Sequence, residues 1–544
     1  MIDSRLAGLY KLSVPARIAR LQEVGCIDAG DARRLLAGEQ VLGVASADKM
    51  IENVIGVFAL PLAIAPNFIV NSRETIVPLA VEEPSIVAGL SSAAALARSS
   101  GGFVARADDS LLAAQLHIVG LEDAGNAARL LSSASQDLVR EANRVHPRLV
   151  ERGGGVRDIE IRKLELRDGS ALVALHVLVD TCDAMGANLV NTIAEALAPR
   201  VATISGGDVV LKILSNLADR SMATATVSFA AESLADAGMS GEQVRDRIVL
   251  CNEIACIDPH RAATHNKGIF NGIDALAIAT GNDWRAIEAG GHAYAAKSGH
   301  YSSLTNWTVG EDGELIGEIA LPLKPGTVGG TVGTNPGAAL GLAISGVASS
   351  QKLAELMAAV GLAQNFAAIR ALATRGIQRG HMRLHARSLA SAAGAAEADI
   401  DAVVERLVES GDFNASNAKS ILAQIKATPS SRLPAAASAA GKVILLGEHA
   451  VVYGRHALAV PVPDAIRATA VETSGSSTLS VDEWEFSVDV GADDDKAATI
   501  VRLILRMLDV SDRCFDIRAS SLIPRGVGLG SSSAIAVAIT RAVA

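Results

Sequence analysis

The chain has 544 residues, of which 49% are hydrophobic and only 3% aromatic, and its formal net charge is −10. This length predicts more than one domain, and an apolar content made mainly of alanine, valine, leucine and isoleucine suits closely packed helices and buried strands. The acidic balance argues against a surface for nucleic acid or anionic membranes. Five scattered cysteines without a CxxC pair argue against zinc and indicate a reduced, cytoplasmic protein.

No targeting or membrane-spanning segment is expected. The N-terminus has an early acidic residue and lacks the apolar region of a signal peptide. The most apolar run, Ile51 to Val70, is interrupted by Glu52, Pro61 and Pro66, which makes it unsuitable as a membrane span.

The first 109 residues predict short helices, a β-hairpin and a further helix. Residues 1 to about 50 form helices without a core of their own, which we expect to pack on another element or subunit. Strand-like runs at 68–70 and 75–81 flank a polar turn, and Pro84 suits the first position of a helix over 86–98. Glu83 therefore lies at a strand-to-helix junction, where it either complements the helix dipole or serves as a catalytic acid.

Residues 110–215 predict strands and helices in an order typical of one fold. The elements are a strand at 112–121, a helix at 124–145, a hairpin of strands at 156–166 and 171–180, a helix at 184–197 and a strand at 209–214. This β-α-β-β-α-β order is that of the ferredoxin-like fold. Small residues after Asp183 suit a bound phosphate, although such residues more often serve helix packing. No GxGxxG motif joins a strand to a helix, so a Rossmann site is not supported.

The segment Arg261–Asp283 contains four polar residues in a mostly apolar stretch: Arg261, Lys267, Asn271 and Asp283. Lys267 lies among small and apolar residues, so we expect it to be poorly hydrated and to need a carboxylate partner, for which Asp283 is suited. A structural ion pair at a helix end is the alternative. Arg261 and Asn271 in the same segment favour a functional site.

The following chain predicts helices, a hairpin near 311–314 and a long helical region over 337–374. His381 follows Gly380 at a point where the chain can hinge, although a single histidine there is usually a surface or cap residue. Between 428 and 438 the composition becomes linker-like.

Five sequence blocks, in the right order, resemble class II 3-hydroxy-3-methylglutaryl-CoA reductases. These blocks are Glu52–Gly56, Glu82–Ala88, Asp183–Asn188, Arg261–Asp283 and Gly380–Met382. The resemblance covers about residues 2–426. It implies an α+β fold, in which a large substrate domain is interrupted by a ferredoxin-like cofactor domain and followed by a mobile C-terminal flap. It also implies a homodimer, or a higher multiple of dimers, with active sites at the subunit interface.

The resemblance implies a reaction that interconverts 3-hydroxy-3-methylglutaryl-CoA with mevalonate and CoA through two hydride transfers. Each transfer in the reductive direction places negative charge on a substrate oxygen, which Lys267 is suited to stabilise while Asp283 holds the lysine. Glu83 is suited to donate a proton, and His381, delivered by the flap, to protonate the departing thiolate. The residues expected to contact the acyl group are Ser85, Asn216, Arg261 and Asn271.

The same resemblance places a nicotinamide cofactor on the second helix of the small domain. The residues expected to contact it there are Asp183, Met185, Gly186 and Asn188. Family members that prefer NADH hold the ribose with a carboxylate after the first helix of that domain, whereas residues 142–146 here contain no acid. Arg144 or His146 can instead face a 2′-phosphate. Both NAD(H) and NADP(H) stay open, as does the physiological direction.

The tail resembles a second family, the mevalonate kinases of the GHMP kinase superfamily. Residues 441–454 resemble their opening motif and 524–534 their phosphate loop, in which glycine N–H groups and a helix N-terminus face phosphates. The resemblance implies ATP and magnesium, held by Lys442, Gly528, Gly530, Ser531 and Ser532, with Ser532 reaching the metal. The chain ends within the next helix, before the position of the family's catalytic aspartate, so we expect an incomplete kinase.

The predicted fold is therefore α+β throughout, with a partial kinase domain after the reductase. The predicted boundaries are 1–109 and 216–376 for the substrate domain, 110–215 for the NAD(P)-binding domain, 377–426 for the flap, 427–440 for a linker and 441–544 for the kinase part. Two alternatives stay open, a non-redox CoA-thioester enzyme and a non-catalytic CoA- or nucleotide-binding protein. If the chain continues, a bifunctional reductase–kinase is expected.

Overall fold

The structure, a computed structural model, describes residues 3–374, 376–427, 435–446, 453–456, 458–473, 475–522 and 531–544. The chain divides into two compact units, which are described separately below. The first comprises Met1–Leu389 and Val408–Phe413, and the second comprises Ala390–Leu407 and Asn414–Ala544.

Strands are numbered along the chain. They are β1 Leu62–Val70, β2 Arg73–Ala80, β3 Val104–Ala107, β4 Leu111–Val119, β5 Gly155–Glu165, β6 Ala171–Asp180, β7 Asp208–Leu214, β8 Met222–Phe229, β9 Thr305–Val309, β10 Leu315–Pro322, β11 Ala435–Leu446, β12 Leu458–Thr473, β13 Thr478–Val481, β14 Phe486–Asp489 and β15 Cys514–Ser521.

The α-helices are numbered in the same way. They are α1 Val14–Glu23, α2 Ala29–Ala37, α3 Val44–Ala47, α4 Ile86–Ala97, α5 Ala124–Ser133, α6 Ser135–Val145, α7 Pro147–Glu151, α8 Ala187–Ser205, α9 Gly241–Ile257, α10 Pro259–Ala279, α11 Trp284–Ala295, α12 Pro336–Ser345, α13 Ser350–Ala373, α14 Ile377–Ala392, α15 Glu397–Ser410, α16 Ala415–Ala427, α17 Lys496–Met507 and α18 Ser531–Val543.

The main core of the first unit surrounds α13, which packs on α4, α9 and α10 and on the antiparallel sheet β3-β8-β10-β9. By length and composition α13 could cross a membrane, but 72% of its most apolar window is buried inside the fold. Its apolar surface is covered by other helices and strands, so its hydropathy reflects a central position in the core.

The β1–β2 hairpin lies against this core and positions the start of α4. Its turn consists of Asn71 and Ser72, which both have positive φ, 50° and 62°. A two-residue turn of this kind matches the twist of antiparallel strands. The strands predicted at 68–70 and 75–81 are therefore present, and the turn is shorter than the predicted one.

A second sheet in the first unit has the antiparallel strand order β5-β6-β4-β7. Helices α5, α6 and α8 cover one face and build a separate core with it. The strands predicted between 110 and 215 are all present. The first predicted helix is divided at Ala134 into α5 and α6, and α8 continues past Pro199 to Ser205.

The N-terminal helices pack on other elements, as expected from their short apolar faces. Ile18 and Leu21 on α1 join a small core with Ile76 on β2 and with Leu340 and Ile344 on α12. The predicted hairpin near 311–314 is present as β9–β10. The long helical region predicted over 337–374 is two helices, because Gly346 adopts φ 61° and ends α12.

The second unit contains a five-stranded sheet of order β11-β12-β15-β13-β14. Strands β13 and β15 pair in parallel, and the other neighbours are antiparallel. Helices α17 and α18 contribute Val501 and Ala538 to a core with Ile466 and Ile517 of the sheet. This unit is mixed α and β, as predicted for the tail.

Candidate active site

Helix α10 carries three of the predicted polar residues into one cavity. Asp258 caps its first turn by accepting from the His260 N–H at 2.9 Å, and Pro259 occupies the first helical position. Lys267 and Asn271 lie one turn apart and therefore share a face. The opposite face, including Ile269 and Ile273, is fully buried in the core.

A cavity of about 1290 Å³ lies between α10, α13, the start of α4 and the segment 235–237. The predicted residues that line it are Glu83, Ser85, Arg261, Lys267 and Asn271. Its other walls are largely apolar and include Ile86, Phe366 and Ile369. A cavity with apolar walls and few converging polar groups is typical of a small-molecule site.

Glu83 and Lys267 form an ion pair inside this cavity. The Lys267 Nζ donates to Glu83 Oε2 at 2.6 Å, across 184 residues of sequence. The Lys267 side chain is 58% exposed and the Glu83 side chain 35% exposed, so both are accessible to a ligand. Such an exposed pair contributes little to fold stability, which leaves its charges available for chemistry.

Ser85 precedes α4 in a conformation unusual for its residue type. It is the N-cap with φ 74°, and its side chain makes no capping hydrogen bond. A left-handed conformation costs a non-glycine residue about 1 kcal/mol. Pro84, predicted as the first helical residue, instead lies in the preceding turn. The helix N-terminus and the Ser85 hydroxyl, which does not cap the helix, therefore both border the cavity, where they suit an anionic or carbonyl oxygen.

Within one copy of the chain, Lys267 does not pair with Asp283, its expected partner. Asp283 caps α11 by accepting from the Ala286 N–H at 3.2 Å, and it pairs with Arg285 at 3.3 Å. Helix α10 continues to Ala279, so about 18 Å of helix follows Lys267 before the chain can turn. Lys267 is also well exposed, because the apolar neighbours seen in the sequence face the core.

Asn216, the remaining predicted acyl contact, is also outside the cavity. It lies on the exposed loop after β7, and its carbonyl accepts from the Ala218 N–H at 2.9 Å. The cavity thus contains part of the predicted set, and Asn216 and Asp283 belong to another part of the surface.

A buried polar network next to the cavity was not predicted as functional. Trp307 Nε1 donates to Asn365 Oδ1 at 2.8 Å, so the Asn365 amide nitrogen faces His265 Nε2 at 2.9 Å and must donate to it. His265 therefore accepts at Nε2 and carries its hydrogen on Nδ1. Burial, together with the charge of Arg261, lowers the pKa of His265 to about 3. The network thus supports α10 with a neutral imidazole.

A further charged pair, also not predicted, borders the cavity on the far side. Arg370 on α13 and Asp236 face each other at 3.6 Å, and both line the cavity. The neighbouring Ala237 has φ 54°, a positive value that indicates a tightly constrained loop. The sequence signal for this loop was Ala237-Gly238, a small-residue turn between two helical segments.

The residues predicted to bind the cofactor lie at the start of α8. This cofactor segment, Asp183–Asn188, ends in the first turn of the helix, where Gly186 is the N-cap with φ 90° and no side-chain cap. A Cβ at Gly186 would lie 2.4 Å from Thr181 Cγ2, so only glycine fits. An uncapped helix start with this close packing fits a phosphate-bearing ligand.

The cofactor segment is connected to the turn that contains Asp283. Asp183 Oδ1 accepts from the Ser350 N–H at 2.9 Å, and the Asp183 carbonyl accepts from the Thr327 N–H at 2.8 Å. Next along this loop, the Gly326 N–H donates to Asn282 Oδ1 at 2.7 Å. Asp283 and the cofactor segment therefore lie on the same side of the unit.

Arg144 and His146, predicted to face the cofactor ribose, lie at the end of α6 and between α6 and α7. Arg144 is exposed. His146 Nε2 is buried and has no hydrogen-bond partner in the described part of the chain. Asn143, from the same segment, is structural, because its amide bonds both the N–H and the carbonyl of Val156.

The remaining predicted residues fall largely outside the described residues. His381 lies on α14, but its side chain is not described, and the same holds for Ser531 and Ser532 on α18. Gly528 and Gly530 lie outside the described residues. Lys442 is exposed on β11, opposite Pro461 of β12.

Comparisons with known proteins point to one enzyme family for most of the chain. The family model for hydroxymethylglutaryl-coenzyme A reductase matches residues 14–386. The 3-hydroxy-3-methylglutaryl-coenzyme A reductase of Archaeoglobus fulgidus is 45% identical over 425 residues, which are 78% of this chain and 95% of that protein. A solved 3-hydroxy-3-methylglutaryl-coenzyme A reductase from Streptococcus pneumoniae has a TM-score of 0.67 at 39% identity, covering 77% of this chain and 100% of its own.

The fold, the cavity and these matches define an NAD(P)-dependent oxidoreductase. The chain belongs to the hydroxymethylglutaryl-coenzyme A reductase family. It is similar to a class II reductase from Streptococcus pneumoniae bound to NADPH in open conformations, with a TM-score of 0.65, 40% identity, and coverage of 76% of this chain and 100% of that one. The predicted reductase function is confirmed, and a non-redox thioester enzyme is not favoured.

The tail matches a second family. The model for the N-terminal domain of GHMP kinases matches residues 496–544. Mevalonate kinase of Pyrococcus horikoshii is 39% identical in an alignment of 128 residues that covers 20% of this chain and 37% of that protein. The chain therefore spans little more than a third of the length of the kinases that it matches, and the predicted resemblance is confirmed for that part.

Proposed function

We propose that the cavity binds the 3-hydroxy-3-methylglutaryl group, and that the chain interconverts its CoA thioester with mevalonate and CoA. The observation that carries this proposal is the Glu83–Lys267 pair, held at 2.6 Å in a cavity that Arg261 also lines. With Arg370 and Asp236, three cations and two carboxylates line the cavity, which gives it a net positive charge. A ligand with a free carboxylate and a carbonyl that becomes an oxyanion complements this arrangement.

Each of these residues has a distinct role in the proposal. Arg261 presents a guanidinium that suits the terminal carboxylate, and Ser85 and Asn271 offer hydrogen bonds to the hydroxyl and carbonyl oxygens. Lys267 stabilises negative charge on the reacting oxygen, and Glu83, once it has taken up a proton from solvent, donates that proton to the oxygen. A bound nicotinamide supplies the hydride for each of the two reductions.

We assign cofactor binding to the four-stranded sheet domain and His381 to the expulsion of CoA. The uncapped start of α8 supports the first assignment, because its N–H groups suit the phosphates of NADH or NADPH. Arg144 and the absence of an acid at 142–146 favour tolerance of the 2′-phosphate. The ferredoxin-like description of this domain, the flap around His381 and a cytoplasmic location stay predictions.

The predicted site residues lie in two separate regions of the chain, which supports an active site formed by two copies of it. One place is the acyl cavity with Glu83 and Lys267, and the other contains Asp283 and the cofactor segment. We propose that two copies of the chain associate so that Asp283 and the cofactor segment of one copy complete the cavity of the other. An active site that spans an isologous interface then occurs twice per dimer.

A subunit-mixing experiment tests this arrangement. Lys267→Ala and Asp283→Asn should each be inactive alone, and asparagine keeps the helix cap at position 283. When the two variants are unfolded and refolded together, about half of the dimers should be mixed. Each mixed dimer has one intact site of two, so about a quarter of wild-type activity should return. Affinity tags of two kinds show that mixed dimers have formed. Mixed dimers without activity would disprove completion of the site by the second copy.

For the tail we propose a partial kinase fold that binds ATP and magnesium weakly and does not phosphorylate mevalonate. The match to little more than a third of the kinase length supports this proposal. Because mevalonate is a product of the reductase reaction, a kinase that continues beyond this segment would act on it next.

A further inference from the structure

Lys324 is a buried lysine in the loop after β10. The residue is 7% exposed, although lysine normally keeps its ammonium group in water. Its Nζ donates to the Ala184 carbonyl at 2.6 Å and lies 3.5 Å from the Pro325 carbonyl. No ion pair to Lys324 is found in the described part of the chain. A buried charge is costly unless hydrogen bonds or nearby opposite charges compensate for the lost water.

The carbonyl that Lys324 contacts belongs to the cofactor segment. Ala184 precedes α8, and its carbonyl also accepts from the Thr181 hydroxyl at 2.7 Å. Two donors therefore fix the same peptide group immediately before the helix start that suits a phosphate. The sequence Leu321-Pro322-Leu323-Lys324-Pro325-Gly326 is typical of a surface loop, so only the structure reveals this contact.

Two carboxylates near Lys324 make its charge relevant to an anionic ligand. Asp180, at the end of β6, pairs with Arg157 at 2.9 Å, and Asp183 accepts from the Ser350 N–H. The Cys182 thiol lies between them in sequence, and burial raises its pKa. A dinucleotide adds further negative charge next to these carboxylates, and the ammonium group opposes the resulting repulsion.

We propose that Lys324 is a positioning residue of the dinucleotide site, which fixes the Ala184 carbonyl and offsets the carboxylates beside the α8 N-terminus. This inference depends on the proposed cofactor site and goes beyond it by naming a buried charge that controls its affinity. Lys324 itself is too deeply buried to contact the cofactor, so it acts through the cofactor segment.

The pH dependence of dinucleotide binding gives a distinctive readout. Burial lowers the pKa of Lys324 to about 8, while Asp180, Asp183 and Cys182 oppose this change. The charge is therefore present below about pH 8 and lost above it. Dinucleotide affinity should fall several-fold between pH 7 and 9, and binding near pH 8 should take up protons because the bound anion favours the ammonium form.

The experiment compares the wild type with Lys324→Met, which keeps the length of the side chain without its charge. Calorimetric titration with NADH and NADPH, in two buffers of different ionisation enthalpy, gives both Kd and proton uptake. At pH 7 we expect Kd for both dinucleotides to rise about tenfold, proton uptake near pH 8 to disappear, and the affinity for 3-hydroxy-3-methylglutaryl-CoA to stay within about twofold.

Lys297→Met is the matched control, because Lys297 is 58% exposed and pairs with Asp219 at 3.1 Å. It should bind dinucleotides as the wild type does. An unchanged Kd in Lys324→Met would overturn the inference and leave the reductase assignment intact. If Lys324→Met does not fold, the wild type alone provides the test. Dinucleotide binding by the wild type without proton uptake near pH 8 would then overturn the inference. A wild type that binds neither dinucleotide would overturn the proposed cofactor site as well.

Discussion

The lysine in the acyl cavity and the lysine that contacts the cofactor segment differ in how far they are exposed to solvent. Lys267 keeps 58% of its side chain exposed and pairs with Glu83 inside the cavity. Lys324 is 7% exposed and contacts a backbone carbonyl. An exposed charge can act directly on a ligand, whereas a buried one acts on the protein segment that receives the ligand. Under the proposed assignments, the two sites depend on charge for different reasons, one for chemistry and the other for shape and affinity.

The strongest way to test this contrast is Lys267→Ala. Loss of a group that stabilises an oxyanion costs about 3–4 kcal/mol, so kcat/KM for reduction should fall by about two to three orders of magnitude. Because the side chain is well exposed, the thermal midpoint should barely change, and dinucleotide Kd should stay at the wild-type value.

Steady-state assays with 3-hydroxy-3-methylglutaryl-CoA and thermal unfolding provide these measurements. Lys297→Ala, which removes an equally exposed lysine, serves as the control. Retention of more than about a tenth of wild-type activity would remove Lys267 from the centre of the mechanism, since that loss corresponds to only about 1.4 kcal/mol.

A smaller effect is expected on the cofactor side from His146→Asp. A carboxylate accepts from a ribose hydroxyl and repels a 2′-phosphate, so the ratio of kcat/KM should move towards NADH. We expect a change of about tenfold, without an effect on kcat with the preferred dinucleotide. Parallel assays with NADH and NADPH measure it, and an unchanged ratio would place the ribose elsewhere.

The smallest effect is expected from removal of the tail. All predicted reductase residues precede Lys426, so a chain that ends there should keep kcat/KM for reduction within about twofold. The same preparation and the full chain should both fail to form phosphomevalonate from ATP and mevalonate. A tenfold loss of reductase activity would show that the tail supports the site, and phosphorylation by the full chain would contradict the proposed incomplete kinase.

Elements with a strong local pattern were predictable from the sequence. The alternation of β5, the apolar and β-branched run of β6 and the polar turn before β2 indicated strands where strands are found. By contrast, β8 was not predicted, because its small residues Ala223 and Ala225 do not distinguish a strand from a helix. Helix boundaries were also inaccurate where Pro199 lies inside α8.

Some members of the candidate site were predictable from the sequence, but their arrangement was not. Polar residues in the apolar α10 segment identified Arg261, Lys267 and Asn271. Spacing along the chain could not show that α10 continues straight for several turns, which separates Lys267 from Asp283. Lys324 was missed because a lysine between proline and leucine in a loop normally faces water, and only tertiary packing places it under the cofactor segment.

The close contact between α10 and α13 determines which parts of the acyl cavity can change during evolution. A Cβ at Gly272 would lie 3.0 Å from both Val360 Cγ1 and Gln364 Cβ, so side chains of α13 pack directly on the α10 backbone at this position. A larger residue there would displace the helix that carries Lys267. Divergence towards other acyl groups should therefore accumulate in the loops at 82–86 and 235–238, where insertions and exchanges leave this helix pair undisturbed.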